Sequence, residues 1–203
     1  MVSFSSRRRT LLAAAATLPL VLAGCGNKAS DKPLAFDGGN DITGTHLGKD
    51  LDMTGSDGKT RTLADFRGKV LLVFFGYTHC PDVCPTSMAM AAQAMQILGS
   101  KAKDVQVVMV TVDPARDTSK VLSAYVQAFD PSFMGLTGTP DQLARTARSF
   151  KVSYAREDGG TAQQYGMSHS SAFYLLDQTG NARALISANT TPKDMAHDIQ
   201  LLL

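Results

Sequence analysis

The sequence predicts an α/β domain, a central mixed sheet flanked by helices, with an extra β-hairpin at its N-terminal side. Three observations carry this. Two nearly continuous apolar runs, Val70-Leu-Leu-Val-Phe-Phe75 and Val105-Gln-Val-Val-Met-Val-Thr-Val112, have the length and composition of strands covered on both faces, as parallel strands are. Between them, Met88-Ala-Met-Ala-Ala-Gln-Ala-Met-Gln-Ile-Leu98 is rich in strong helix formers, so strand, helix and strand make a βαβ unit with a right-handed crossover. After the second strand come helix, hairpin and helix patterns.

Taken in order, the 203 residues suit one domain and a tail, and 44% hydrophobic with 19% charged residues is ordinary for a globular core. Residues 1–24 read as an export signal. Arg7, Arg8 and Arg9 supply the positive region, and Leu11 to Leu22 is an apolar run too short for a comfortable membrane span. The signal ends in Leu22-Ala-Gly-Cys25, which resembles the bacterial lipobox and implies a lipidated Cys25 that anchors the chain to a membrane at an extracytoplasmic or periplasmic face. Ser6-Arg-Arg-Arg-Thr-Leu-Leu12 is a weaker match to a twin-arginine signal. Removal of the three arginines leaves 17 basic against 18 acidic residues, which argues against nucleic acid as a partner. Residues 25–44 are polar and glycine-rich and read as a flexible tether, with the folded domain at 45–203. Leu51 to Leu63 reads as the hairpin, turning at Gly55-Ser-Asp-Gly58.

The stretch Gly76-Tyr-Thr-His-Cys-Pro-Asp-Val-Cys-Pro-Thr-Ser-Met88 sits where the first core strand gives way to its helix and holds two of the three cysteines, Cys80 and Cys84. With Pro81 in a first helical turn, Cys80 is the better placed to gain thiolate character from the helix N-terminus. If the segment is helical, Cys80 and Cys84 share a face, and their sulfurs can meet on one metal ion or on each other. A structural disulfide closing so short a loop adds little stability, which favours a functional pair. Beyond the second strand, Asp113, Arg116 and Asp117 read as a charged network holding a loop. Helices follow from Thr118 to Phe129 and from Thr139-Pro140 to about Phe150. Ser171–Leu176 and Ala184–Ser187 form a hairpin, and a last helix opens at Thr190 or Thr191 with Pro192 in its first position.

This order resembles the thioredoxin-like fold, and the resemblance implies that Tyr165-Gly-Met-Ser-His-Ser170, a loop just before the last hairpin, faces the cysteines. His169 then joins two sulfurs. Soft sulfur with a single nitrogen suits Cu(I) and accommodates Cu(II) or zinc; three ligands rather than four leave the site open, as transfer requires. The cysteine motif, Val112-Asp-Pro-Ala-Arg-Asp-Thr118, Gly135-Leu-Thr-Gly138 and the His-Ser pair followed by Tyr174-Leu-Leu-Asp-Gln-Thr-Gly180 together resemble the Sco/SenC family of copper proteins over roughly residues 45–203. The resemblance implies copper ligands at Cys80, Cys84 and His169. It also implies a chaperone that delivers copper to, or prepares the thiols of, the binuclear copper centre of a respiratory cytochrome c oxidase. Its partners are the copper-centre subunit and a thioredoxin-like reductant or another copper chaperone. One departure is Ser168, where the family commonly has an acidic residue.

The competing class is an extracytoplasmic thiol-disulfide oxidoreductase, a peroxide-reducing enzyme or a redox or copper sensor. Oxidoreductases of this fold typically carry C-x-x-C and a cis-proline before the hairpin. Here the cysteines are one residue further apart, and no proline lies between Asp141 and Thr191. Among lesser candidates, His79 touches the motif but points elsewhere, Met167 is a remote ligand, and His46 and His197 read as solvated. Met88, Met90 and Met95 read as core, because their spacing through an alanine-rich helix fits packing.

Overall fold

In the computed structural model, which describes residues 1, 34–157, 161 and 164–203, the run Val70–Gly76 is a fully buried strand, β4, lying parallel to β5 (Val105–Thr111). Among the described residues six strands form the central sheet. On one side β5 pairs in parallel with β6 (Met134–Leu136). On the other, β4 pairs antiparallel with β9 (Phe173–Leu176), β9 with β10 (Ala182–Ile186), and β10 with β1 (Gly39–Asp41). The sheet is therefore mixed, in the order β1-β10-β9-β4-β5-β6. The expected N-terminal hairpin is present as β2 (Met53–Thr54) and β3 (Thr60–Arg61). A second two-stranded pair, β7 (Tyr154–Arg156) with β8 (Met167–His169), stands apart from the main sheet.

Among the described residues four α-helices complete the domain: α1 (Val83–Leu98), α2 (Ser119–Gln127), α3 (Pro140–Phe150) and α4 (Pro192–Gln200). Their starts follow local chemistry. Thr118, Thr139 and Thr191 each accept a backbone N–H at the helix entrance, and Gln142 reaches back to Thr139 to close a capping box. Alternation along β4 sends neighbouring side chains to opposite faces. Phe75 meets Phe150 of α3 at 5.3 Å between ring centroids, whereas a Cβ on Gly76 would point at Cys84 of α1. Helices thus cover both faces, with α4 packed beside α1. Met88, Met90 and Met95 are buried in this core, as their spacing predicts. Among the described residues no helix is long and apolar enough to cross a membrane.

The structure corrects four expectations. The tether expected over 25–44 does not extend to 44, because Gly39–Asp41 pairs with β10 as an edge strand. Composition hid this strand: Gly39 lies with only 3.0–3.1 Å between an added Cβ and Ile186 or Ala184, so the glycines that read as linker permit close backbone approach. The carboxylate of buried Asp198 accepts the N–H groups of Asp37 and Gly38 at 2.7 and 3.0 Å, which fixes the entry of the strand. His197 is accordingly not simply solvated, since its Nδ1 lies 3.4 Å from Asp37 and 3.3 Å from Asp198. Helix α1 begins at Val83, so Pro81 and Cys80 precede it. His169 closes a strand and not a loop. Residues 2–33, and with them the signal and Cys25, lie outside the described residues.

Candidate metal centre

The cysteines are placed by the end of β4 and the start of α1. Cys84 is the second residue of the helix, where its backbone N–H has no partner within the helix. That N–H donates to the Cys80 sulfur at 3.4 Å. The helix entrance therefore does face Cys80, although Cys80 lies outside the helix. Cys84 is fully buried and Cys80 half-buried, and both are free thiols. Burial pushes the Cys84 thiol well above the usual cysteine range, because the apolar surroundings penalise the thiolate. Without a metal, Cys84 is a protonated thiol.

His169 reaches the same point from β8. Its Nε2 lies 3.4 Å from the Cys84 sulfur, and its Nδ1 lies 3.0 Å from the Ser170 carbonyl. A carbonyl only accepts, so Nδ1 carries the proton and Nε2 presents its lone pair to the sulfurs. The Ser170 carbonyl thus orients the imidazole, a task for which a carboxylate at position 168 is not needed. Ser168 is exposed, and its hydroxyl donates to the Ala155 carbonyl at 3.3 Å. Phe74 and Tyr77 hold the imidazole edge-on, with centroids at 6.1 and 5.9 Å.

Sγ of Cys80, Sγ of Cys84 and Nε2 or Nδ1 of His169 all lie within 4.8 Å of one another. Bonds of about 2.3 Å, as thiolates make to zinc, separate two ligands of one ion by roughly 4 Å. The three groups therefore fit a single ion with little movement. They offer two soft atoms and one imidazole nitrogen, a set for Cu(I), Cu(II) or zinc and a poor one for magnesium or calcium. His169 also lines an open cleft of about 340 Å³ with Ser153, Tyr154 and Ser168, and on the sulfur side the half-buried Cys80 is the member of the pair that solvent reaches. His79 is not among the converging groups; its Nδ1 sits 3.1 Å from the Thr78 hydroxyl and 3.9 Å from Asp117.

The loop network expected of Asp113, Arg116 and Asp117 is formed. Fully buried Asp117 accepts the Thr78 N–H at 3.0 Å, the Thr78 hydroxyl at 2.6 Å and the Thr111 hydroxyl at 2.7 Å. It thereby ties the residue two before Cys80 to the end of β5. Asp117→Ala strands these donors in the interior, at about 1–3 kcal/mol for each group left unsatisfied. Denaturant unfolding should register a loss of about 3 kcal/mol, and a loss under about 0.5 kcal/mol, the size of an ordinary surface change, contradicts the role of Asp117.

Sequence reasoning missed Gly76 and Tyr77. A Cβ at Gly76 would stand 2.7 Å from Phe74 Cε1, 2.8 Å from the Cys84 sulfur and 3.0 Å from Met109 Cε. The Tyr77 hydroxyl accepts the Met167 N–H at 3.3 Å, joining the cysteine segment to the strand that carries His169. A glycine closing an otherwise apolar strand was the available signal for the first; nothing local marks the second.

Comparison with known proteins places these features in context. The SCO1/SenC family model matches residues 40–203. A SCO2-like protein of Rickettsia felis is 34% identical over 169 residues, covering 83% of this chain and 82% of the relative. Among solved structures, Bradyrhizobium japonicum ScoI with copper bound superposes with a TM-score of 0.72 at 34% identity, over 77% of this chain and 99% of that one. Yeast Sco1 with copper bound gives 0.70 at 30% identity, over 76% and 87%.

Proposed function

Because the chain belongs to the SCO1/SenC family, and its fold is the thioredoxin-like fold of its structural neighbours, we propose that it is a copper chaperone whose cargo is held by Cys80, Cys84 and His169. The observation that carries this reading is the convergence of these three groups within 4.8 Å of one another. Copper bound by the Bradyrhizobium and yeast proteins supports the choice of metal. Two sulfurs and one nitrogen, with no fourth His, Cys, Asp or Glu converging on them among the described residues, favour an ion that is received and passed on over one that is stored.

Delivery is to the binuclear copper centre of a respiratory cytochrome c oxidase, by handing over the ion or by reducing the disulfide of the cysteines that will hold it to thiols. The buried Cys84 and the more accessible Cys80 suit both acts. Oxidation of the pair to a disulfide, with two electrons passing to a thiol-disulfide partner, removes both sulfur ligands and releases the ion; a thioredoxin-like reductant restores the site. The domain acts outside the cytoplasm, anchored by lipid on Cys25 after removal of residues 1–24, since the apolar run and lipobox-like ending of the N-terminus suit that route.

A cell lacking the protein tests the target. Such cells should assemble oxidase that keeps its haem but lacks the binuclear copper, and the wild-type chain should restore the copper where Cys80→Ser does not. Oxidase with full copper content in the deletion strain rules out this client.

A further inference from the structure

His169 is not carried by the central sheet. It ends β8, and among the described residues β8 pairs only with β7, so the imidazole sits on a two-stranded arm. Its distance from the sulfurs therefore depends on how that arm is fastened to the body. The Tyr77 hydroxyl holds one point of β8, through the Met167 N–H. The second fastening is built around Tyr165, four residues before His169.

The Tyr165 hydroxyl donates to Asp113 at 2.8 Å. Asp113 is almost wholly buried and belongs to the loop that leaves β5, where it also pairs with Arg116. The Tyr165 ring lies between two guanidinium groups, that of Arg116 at 3.6 Å from its centroid and that of Arg156 at 3.9 Å. Arg116 belongs to the body and Arg156 to β7 of the arm. Arg156 in turn donates to the Thr161 carbonyl at 3.0 Å. A cation stacked on each face of one ring and an acceptor at its hydroxyl restrict the ring in all directions. Arg116 is also 5.8 Å from the Tyr77 ring, so the same side chain touches both fastenings.

We propose that Tyr165 is a positioning residue for the metal centre: its clamp with Asp113, Arg116 and Arg156 holds β8 where His169 reaches the sulfur pair, and so decides whether bound copper carries a nitrogen ligand. This rests on the reading of His169 as a copper ligand. The two oxidation states then respond differently to the clamp. Cu(I) is held chiefly by the two sulfurs, whereas Cu(II) is the harder ion and gains more from imidazole.

The test compares the reduced full chain with its Tyr165→Phe, Tyr165→Leu and His169→Ala variants. Each is loaded with one equivalent of copper and read by the nitrogen hyperfine coupling of bound Cu(II) and by Cu(I) and Cu(II) affinities against a competing chelator. Tyr165→Leu should lose the nitrogen coupling and about 10- to 100-fold in Cu(II) affinity, the size of effect seen when an outer partner of a ligand is removed, with a smaller loss in Cu(I) affinity. Tyr165→Phe keeps the stacked ring without the bond to Asp113 and should fall between Tyr165→Leu and wild type. Wild-type coupling and affinities in both variants, or in Tyr165→Phe alone should Tyr165→Leu not fold, overturn the proposal, as do equal losses of Cu(I) and Cu(II). His169→Ala separates the two claims: if it keeps the nitrogen coupling, the ligand assignment itself fails, and if it loses the coupling while the Tyr165 variants keep it, the clamp alone fails.

Discussion

Cys84→Ser is expected to abolish tight copper binding while leaving the domain folded. The serine hydroxyl can still donate to Nε2 of His169, 3.4 Å from the sulfur it replaces, so the local hydrogen bond survives. What is lost is a soft ligand that can be deprotonated. Serine oxygen is hard and stays protonated, and the loss in Cu(I) affinity should exceed the roughly 100-fold that removal of an outer partner costs. The same residue governs the pH response. Burial raises the Cys84 thiol, so copper has a proton to displace, and affinity should fall as pH falls. For the metal-free domain the direction is opposite. The unfolded chain releases this proton near pH 8.5 and the folded chain only at higher pH, so above about 8.5 the unfolded state binds fewer protons and stability declines with rising pH. Tyr77, Tyr125 and Tyr174, also raised by burial, add to that decline at higher pH. The difference between wild type and Cys84→Ser in denaturant unfolding from pH 7 to 10 isolates the cysteine. A Cys84→Ser protein that binds one copper as tightly as wild type contradicts the site, and identical pH slopes contradict the buried thiol.

Gly76→Ala should cost both stability and copper. The added Cβ meets Phe74, Cys84 and Met109 at 2.7–3.0 Å, and all four residues belong to the buried centre of the molecule. Forcing a methyl group into a packed core costs about 1–3 kcal/mol, which for a domain of this size lowers Tm by roughly 2–4 °C per kcal/mol. The contact nearest to function is the Cys84 sulfur. Pushing it away from β4 disturbs its 3.4 Å approach to His169, so copper affinity should fall further than in an equally destabilised core variant such as Phe150→Leu, whose ring meets Phe75 on the opposite face of β4. Thermal unfolding and copper titration of the pair provide the measurement. Equal copper affinity in both variants means that Gly76 matters for packing alone.

Much of this architecture was legible in the sequence, for identifiable reasons. The strands β4 and β5 are apolar runs buried on both faces, and the helices α2, α3 and α4 open on threonine caps, two of them followed by proline. Such signals are local and strong. The strands that escaped notice, β1, β6, β7 and β8, have three residues each and no period to read. β1 and β6 exist because strands distant in the chain supply their hydrogen bonds, as β10 does for β1, while β7 and β8 pair with each other. At the metal centre, residue types and motif pointed to Cys80, Cys84 and His169. The partners that place them are long-range: Asp117 lies 39 residues from Thr78, and Tyr77 lies 90 from Met167. Asp113, Arg116 and Asp117 could be read as a network from their density of charge, whereas Tyr165 carried no local mark of its contact with Asp113.

X-ray absorption at the copper edge, on the reduced protein loaded with one equivalent of Cu(I), addresses the metal centre most directly. Two sulfur scatterers and one imidazole nitrogen are the expected shell, with one sulfur lost in Cys80→Ser and the nitrogen lost in His169→Ala. A shell of oxygen and nitrogen alone, or one that neither substitution alters, places copper elsewhere on the molecule and contradicts the chaperone site described above.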